Sequence, residues 1–421
     1  VSDWVARDAA VVWHGFTQMS AYAESSPVIV ESGDGREVID TEGNRYLDAI
    51  SSLWVTTLGH RVPELDQAVR DQLDRIAHST MLGNGNRAVI ELSEALAKVV
   101  PVDGPHFLYA ADGATAVEQA LKVAFQHWTN RGVEGRTAFL ALADAYHGDT
   151  IGALSVGDGG FGTDIFDPLR FPVLRAPSVP AAVDMVLRVG ERLAGVIVEP
   201  LVQGAAGMLL HEPDALRDLA AACAEVGTLL ICDEVATGFG RTGTLFASEQ
   251  CGVRPDLMVL GKGITGGYLP MSATVASDAV FGAFLGPDLS EKTLYHGHSY
   301  GGNALAAAVA LRHLGLVEEW EVLANVRARS AQLRTLLDER FAGDPAVKEV
   351  RLRGLMGGVE LAPPAEGLRW GRRVCAAATR RGVLLRPLGD VVVLMPMLTT
   401  TEADVERIVA ALGAAVEEVC A

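Results

Sequence analysis

The sequence predicts an α/β protein: a large domain around a mostly parallel central sheet, with a smaller α/β lobe built from both chain ends. Three observations carry this. Through the middle of the chain, short apolar runs alternate with longer amphipathic ones, as repeated βα units do. Residues 28–48 instead alternate in polarity around turn residues, as a small antiparallel meander does. The last hundred residues mix helices with short strands. With 421 residues there is chain enough for both bodies. The expected segments are 1–58 (small lobe), 59–318 (large domain) and 319–421 (C-terminal small domain).

Taken in order, the meander turns at Ser32-Gly-Asp-Gly35 and Glu42-Gly-Asn44. Buried strands are expected at 106–111, 137–142, 195–199, 228–233, 257–261 and 271–276. Each is a short apolar run of the kind a sheet covered on both faces needs. Helices are expected at 63–77, 88–99, 115–131 and 213–226, with apolar residues at three- and four-residue steps; Leu216, Leu219, Ala220 and Cys223 form one such stripe. A long helix near 303–317 leads to short strands at 347–352, 357–361 and 391–395.

Composition narrows the function. A formal net charge of −18 repels phosphate backbones and anionic lipid, so neither nucleic acid nor membrane is an expected partner. The five cysteines are scattered without a CxxC pair, which reads as reduced thiols. No apolar run reaches the roughly 18 residues of a membrane span. The first residues, Val1 to Arg7, lack a basic stretch followed by an apolar one. A cytoplasmic enzyme is the expectation.

In such sheets, sites lie beyond the carboxyl ends of the strands. Ile231-Cys-Asp-Glu-Val235 ends a very apolar strand in two acids, and a carboxylate there is costly unless something satisfies it. Asp233 could cap a helix; alternatively it meets a cation in a cleft, such as a protonated pyridine nitrogen whose ring then acts as an electron sink. Leu257-Met-Val-Leu-Gly-Lys-Gly-Ile264 ends a second strand in a glycine-flanked lysine. Alone, Lys262 reads as a surface residue. Beside Asp233 it suits Schiff-base chemistry, because desolvation lowers a lysine's pKa, and Gly261 and Gly263 would leave room for a flat ligand. Ala110-Ala-Asp-Gly-Ala-Thr115 opens a helix whose free N–H groups suit a phosphate. After another strand, Tyr146 could stack on a flat ring, while His147 reads as a hydrogen-bonded structural residue. No zinc spacing, GxSxG elbow or GxxxxGK[ST] loop is present.

Three segments resemble class III aminotransferases of pyridoxal-phosphate (PLP) fold type I in order and spacing: Val196-Ile-Val-Glu-Pro-Leu-Val-Gln-Gly204, Ile231-Cys-Asp-Glu-Val-Ala-Thr-Gly-Phe-Gly-Arg-Thr-Gly243 and Leu260-Gly-Lys-Gly263. Within that class, Trp13-His-Gly-Phe-Thr-Gln-Met19, Ile50-Ser-Ser-Leu-Trp54, Tyr146-His-Gly-Asp-Thr150, Tyr295-His-Gly-His-Ser299 and Leu385-Arg-Pro-Leu-Gly389 are similar to the branch that aminates 8-amino-7-oxononanoate in biotin synthesis.

The resemblance implies PLP bound covalently by Lys262, which is also the catalytic residue, with Asp233 on the pyridine nitrogen. Gly113 and Ala114 would hold the phosphate, with Val235 and Tyr146 against the ring. It implies a homodimer with shared sites, in which Gly297, His298 and Ser299 reach the partner's site and Ser299 meets the phosphate. Phe16, Leu53 and Trp54 would line an apolar tunnel, and Arg386 would hold the substrate carboxylate through two parallel hydrogen bonds. Asp112-Gly-Ala114 stands where many members have Ser-Gly-Ser, which removes a phosphate-binding hydroxyl and leaves Thr115 as the next one. His298-Ser299 stands where Pro-Thr is common, Leu53 where tryptophan is, and Phe16 where tyrosine is. The implied amino donor is S-adenosylmethionine, or lysine as in the part of the branch these forms resemble. An ω-aminotransferase for a diamine, 4-aminobutyrate or a natural-product intermediate is the alternative. An inactive binding module would have little reason to keep Lys262, Asp233 and Arg386 together.

Overall fold

Strand Leu229–Asp233 is buried along its whole length, and every other element of the large domain is arranged around it. The computed structural model describes residues 3–25, 27–158 and 162–420. Across the seven-stranded sheet the order is His106–Ala110, Ser272–Ala276, Leu257–Leu260, Leu229–Asp233, Leu193–Val198, Ala138–Leu142 and Leu174–Ala176. The last five run parallel. Ser272–Ala276 runs antiparallel to both of its neighbours.

Register sets the site. Asp233 pairs with Val259, so Asp233 and Lys262 emerge at the same edge, one strand apart. Glu199 follows Val198, and Tyr146 and Gly113 follow their own strands at that edge. Helix Gly113–Asn130 packs under the strands, burying Ala116, Val117, Ala120 and Ala124 against Ile197, Ile231 and Val259. On the other face, helices Val179–Val189 and Pro213–Val226 pack together over Val196, Val198 and Leu230.

The two chain ends meet in one sheet. The meander, Val30–Asp34, Glu37–Asp40 and Arg45–Asp48, takes Val383–Leu384 as a fourth, parallel strand. A second sheet combines Val347–Arg353, Met356–Leu361, Val391–Leu394 and Arg386–Leu388. Helices Val322–Phe341, Trp370–Arg380 and Glu402–Cys420 supply much of the core beneath them. Arg241, almost wholly buried, donates to the carbonyls of Thr56 and Pro396 and joins the N- and C-terminal segments.

The structure corrects several boundaries. Ser32 to Asp34 belong to a strand, and the turn falls at Gly35 and Arg36. The helix from Pro63 ends at Leu73, and the helix expected from Thr115 begins at Gly113, capped by Asp112. Strand Leu174–Ala176 and helix Val179–Val189 were not anticipated. All five cysteines are free. No described helix is long and apolar enough to cross a membrane, and the described residues hold no metal-binding group of three or more His, Cys, Asp or Glu.

Candidate active site

A cavity of about 470 Å³ opens at the carboxyl edge of the sheet, lined by Trp54, Gly113, Ala114, Tyr146, His147, Glu199, Asp233, Val235 and Lys262 among others. A second, of about 300 Å³, is lined by Phe16, Tyr146, Ala206, Leu388 and Gly389 among others. Tyr146 and Gly148 belong to both walls.

Asp233 does not cap a helix. Its Oδ1 accepts from the Val235 N–H at 3.0 Å and its Oδ2 lies 2.7 Å from His147 Nδ1. Both side chains are buried, and His147 Nε2 has no partner. A buried carboxylate held in this way is oriented, with its charge directed into the cavity. His147 thus acquires a positioning role that its residue type alone did not reveal.

Lys262 stands at φ +40 in a short 3₁₀ turn, Lys262–Thr265. Burial pulls its ammonium below the ordinary lysine range, opposed by the charges of Asp233 and Glu199. Its Nζ sits 5.0 Å from the Trp54 ring centroid, within cation–π range. The flanking glycines do not make room for a ligand. A Cβ on Gly261 would come 3.2 Å from Val235, and one on Gly263 3.2 Å from Phe239 and Thr57. They permit close packing of the turn itself.

The start of helix Gly113–Asn130 presents N–H groups to the cavity. Gly113 allows Val235 to approach, since a Cβ there would lie 2.8 Å from Val235 Cγ1. Thr115 does not supply the missing hydroxyl: its Oγ1 donates to Asp112 Oδ2 at 2.8 Å, while its N–H bonds Asp112 Oδ1 at 2.9 Å. A carboxylate therefore stands beside the backbone cradle.

Glu199 is the site residue that sequence reasoning missed, although a carboxylate closing an apolar strand is the same signal that picks out Asp233. Its oxygens accept from the Tyr146 and Gly204 N–H groups at 3.2 and 3.1 Å. Burial pushes its carboxyl up to about 7, against the field of His147. Trp54 is buried, its indole N–H without a partner. It belongs to a strained segment in which Ser51, Ser52 and Trp54 all have φ between 51 and 65. Such backbone costs about 1–3 kcal/mol per residue and persists only where contacts over-determine it. Here Asp48 accepts from Ser52 N–H and Ser51 Oγ donates to Met395 O.

Other expected residues stand outside the larger cavity. Leu53 is exposed, while Phe16 lines the second cavity. Arg386 is exposed on strand Arg386–Leu388, two residues before the cavity-lining Leu388. Gly297, His298 and Ser299 line neither cavity of their own chain; the Ser299 carbonyl is bonded by His78.

A lysine of lowered pKa, a buried aspartate aimed into a cavity and a helix start facing the same space define a PLP enzyme of fold type I, and the residues present fit that cofactor. The chain matches the Aminotransferase class-III family over residues 19–416. It is 46% identical to an adenosylmethionine-8-amino-7-oxononanoate aminotransferase of Nitratidesulfovibrio vulgaris, over 96% of this chain and 79% of that one. It is 41% identical to the protein of that name from Aquifex aeolicus, over 98% and 96%. The crystal structure of the Methanocaldococcus jannaschii protein of that name superposes with a TM-score of 0.96 at 37% identity, covering 99% of both chains. An (S)-enantioselective omega-transaminase from Thermomicrobium roseum superposes at 0.92 with 33% identity, covering 100% and 99%. The chain belongs to the class III aminotransferases, and its cofactor is pyridoxal 5′-phosphate.

Proposed function

We propose that this chain transfers an amino group to the ketone of 8-amino-7-oxononanoate, giving 7,8-diaminononanoate in cytoplasmic biotin biosynthesis, with S-adenosylmethionine or lysine as donor. The observation that carries the reading is near-full-length identity of 46% and 41% to relatives bearing that acceptor in their names. Bound PLP supplies an aldehyde that takes up amino groups and a ring that draws electrons from the reacting carbon.

The protein's own groups do the rest. Asp233, held by His147 and the Val235 N–H, keeps a proton on the pyridine nitrogen. Lys262 Nζ, biased toward the neutral amine by burial, takes the proton from the amino-bearing carbon of the donor and returns one to the acceptor. Such acid–base help contributes about 10²–10⁴-fold. Tyr146 and Val235 would hold the ring, and the N–H groups of Gly113 and Ala114 would receive the phosphate. Phe16, Leu53 and Trp54 face the aliphatic chain of the substrate, and Arg386 receives its carboxylate at the mouth beside Leu388.

The work divides among segments 1–58, 59–318 and 319–421, the outer two forming the small lobe. The active unit is a homodimer in which Gly297, His298 and Ser299 enter the partner's site. Exposure of Tyr295 and Tyr300 beside them supports an interface there.

The test offers S-adenosylmethionine and lysine separately to the PLP-loaded protein, then adds 8-amino-7-oxononanoate. One donor is expected to bleach the cofactor absorbance and the ketone to restore it. Bleaching by neither donor, or no restoration, would sink the reading. The exposure of Arg386, together with the Thermomicrobium roseum likeness, favours an ω-aminotransferase as the second reading. Unimpaired affinity for 8-amino-7-oxononanoate in Arg386→Leu would support it.

A further inference from the structure

Glu199 is a carboxyl group in the wall of the larger cavity that lacks a cation. It is 5% exposed, and each oxygen accepts one backbone N–H, at 3.2 and 3.1 Å. A carboxylate has about four acceptor positions, so roughly half of this one's capacity is open. No lysine, arginine or histidine among the described residues forms an ion pair with it. Asp233 also has one partner on each oxygen, but one of them is a basic side chain, His147, at 2.7 Å.

The surroundings select the sign of the missing partner. Glu199 and Trp54 flank Gly204: an ideal Cβ on that glycine would lie 3.0 Å from Trp54 Cζ3 and 3.9 Å from Glu199 Oε2. The indole already faces the Lys262 ammonium at 5.0 Å. An ammonium entering this corner gains a carboxylate on one side and an aromatic face on the other, both partly dry. Burial pushes the Glu199 carboxyl up to about 7, and an ammonium beside it would favour the ionised form.

We propose that Glu199 is the recognition residue for the substrate's second nitrogen: it binds the ammonium on the carbon next to the reacting carbonyl, and so selects vicinal amino ketones over simple ketones. The inference rests on the acceptor reading above. It accounts for selectivity near the reacting carbon, whereas Arg386 addresses the far end of the chain. Glu199 touches substrate without moving a proton, so its effect lies in binding and selection.

The experiment compares 8-amino-7-oxononanoate with 7-oxononanoate, which lacks only the amine, as acceptors for enzyme already charged by its donor. The wild type is expected to favour the amino ketone in kcat/KM by roughly 10–100-fold, the range of a charge-assisted hydrogen bond. In Glu199→Gln, which keeps an acceptor for one of the two N–H groups, that ratio is expected to collapse toward one, carried by KM for the amino ketone. Wild type that turns over both ketones without preference overturns this inference alone. So does a Glu199→Gln enzyme that retains the preference, which would mark Glu199 as a mere support for the Tyr146 and Gly204 turns. Wild type that accepts neither ketone overturns the acceptor reading and this inference with it. If Glu199→Gln fails to fold, the wild-type ratio still decides.

Discussion

His147 Nδ1 lies 2.7 Å from Asp233 Oδ2, and both side chains are buried. The imidazole therefore helps decide where the Asp233 carboxylate points, which under the proposed function is toward the ring nitrogen. His147→Ala is expected to cost about 1–3 kcal/mol of hydrogen bonding, or roughly 10–100-fold in kcat. Asp233→Asn should cost more, about 10²–10³-fold, because the charge itself is lost. Steady-state kinetics and the pH profile of the cofactor absorbance measure both. A His147→Ala enzyme whose absorbance titrates like wild type would remove the positioning role.

Asp112 brings negative charge to the end of the cavity that, under the proposed function, receives a phosphate. Because asparagine caps helices about as well as aspartate, Asp112→Asn removes charge and leaves the helix start intact. PLP is expected to bind the apo form more tightly by about 1 kcal/mol, or roughly fivefold in Kd, with unchanged Tm. Titration of the apo protein by absorbance reads this directly.

Gly148 stands at φ +125, and a Cβ there would meet Ala114 Cβ at 2.4 Å. Gly148→Ala is expected to push Ala114 off the phosphate cradle, weakening PLP binding and costing about 1–3 kcal/mol of stability. Gly85, with nothing within 4 Å of its own ideal Cβ, is the control: Gly85→Ala should leave Kd and Tm unchanged.

Glu199 also gives the fold a pH signature. Its carboxyl is raised from 4.5 to about 7 by burial, with His147, Asp233 and Lys262 as the charged groups that face it. A raised acid contributes fully below its unfolded pKa, and the contribution fades as pH climbs through the folded value. Between about pH 5 and pH 8 the apo protein should therefore lose on the order of 3 kcal/mol from this group. Glu199→Gln has no such slope, so the Tm difference should move in the variant's favour over that range. A constant difference would refute the assignment of this carboxyl.

The central strands were legible because strands covered on both faces must be apolar without interruption, and 229–232 and 257–260 are. Leu174–Ala176 escaped because three residues with an arginine between two apolar ones make no run. Helix Val179–Val189 is rich in β-branched valine, and its early proline reads as a breaker although proline suits the first turn. The direction of Ser272–Ala276 has no signature in composition. At the site, Lys262 and Asp233 could be found because strand ends announce them. The pairing of His147 with Asp233 and the capture of Thr115 by Asp112 depend on orientation, which residue types do not encode. The backbone of Ser51 to Trp54 was also hidden. No glycine marks it, and its conformation is imposed by Asp48 and by the carbonyl of Met395, 344 positions away in the chain.

That last bond makes the tail of the protein a tether for its front wall. Met395 N–H also reaches back to the Ala49 carbonyl, so the chain leading into the tryptophan is stitched to the end of strand Val391–Leu394. Losing Met395 would slacken the aromatic wall although Met395 itself lines neither cavity. In engineering terms, the C-terminal strand belongs to the binding site's frame, and a loop graft or truncation there should be judged by what it does to Trp54.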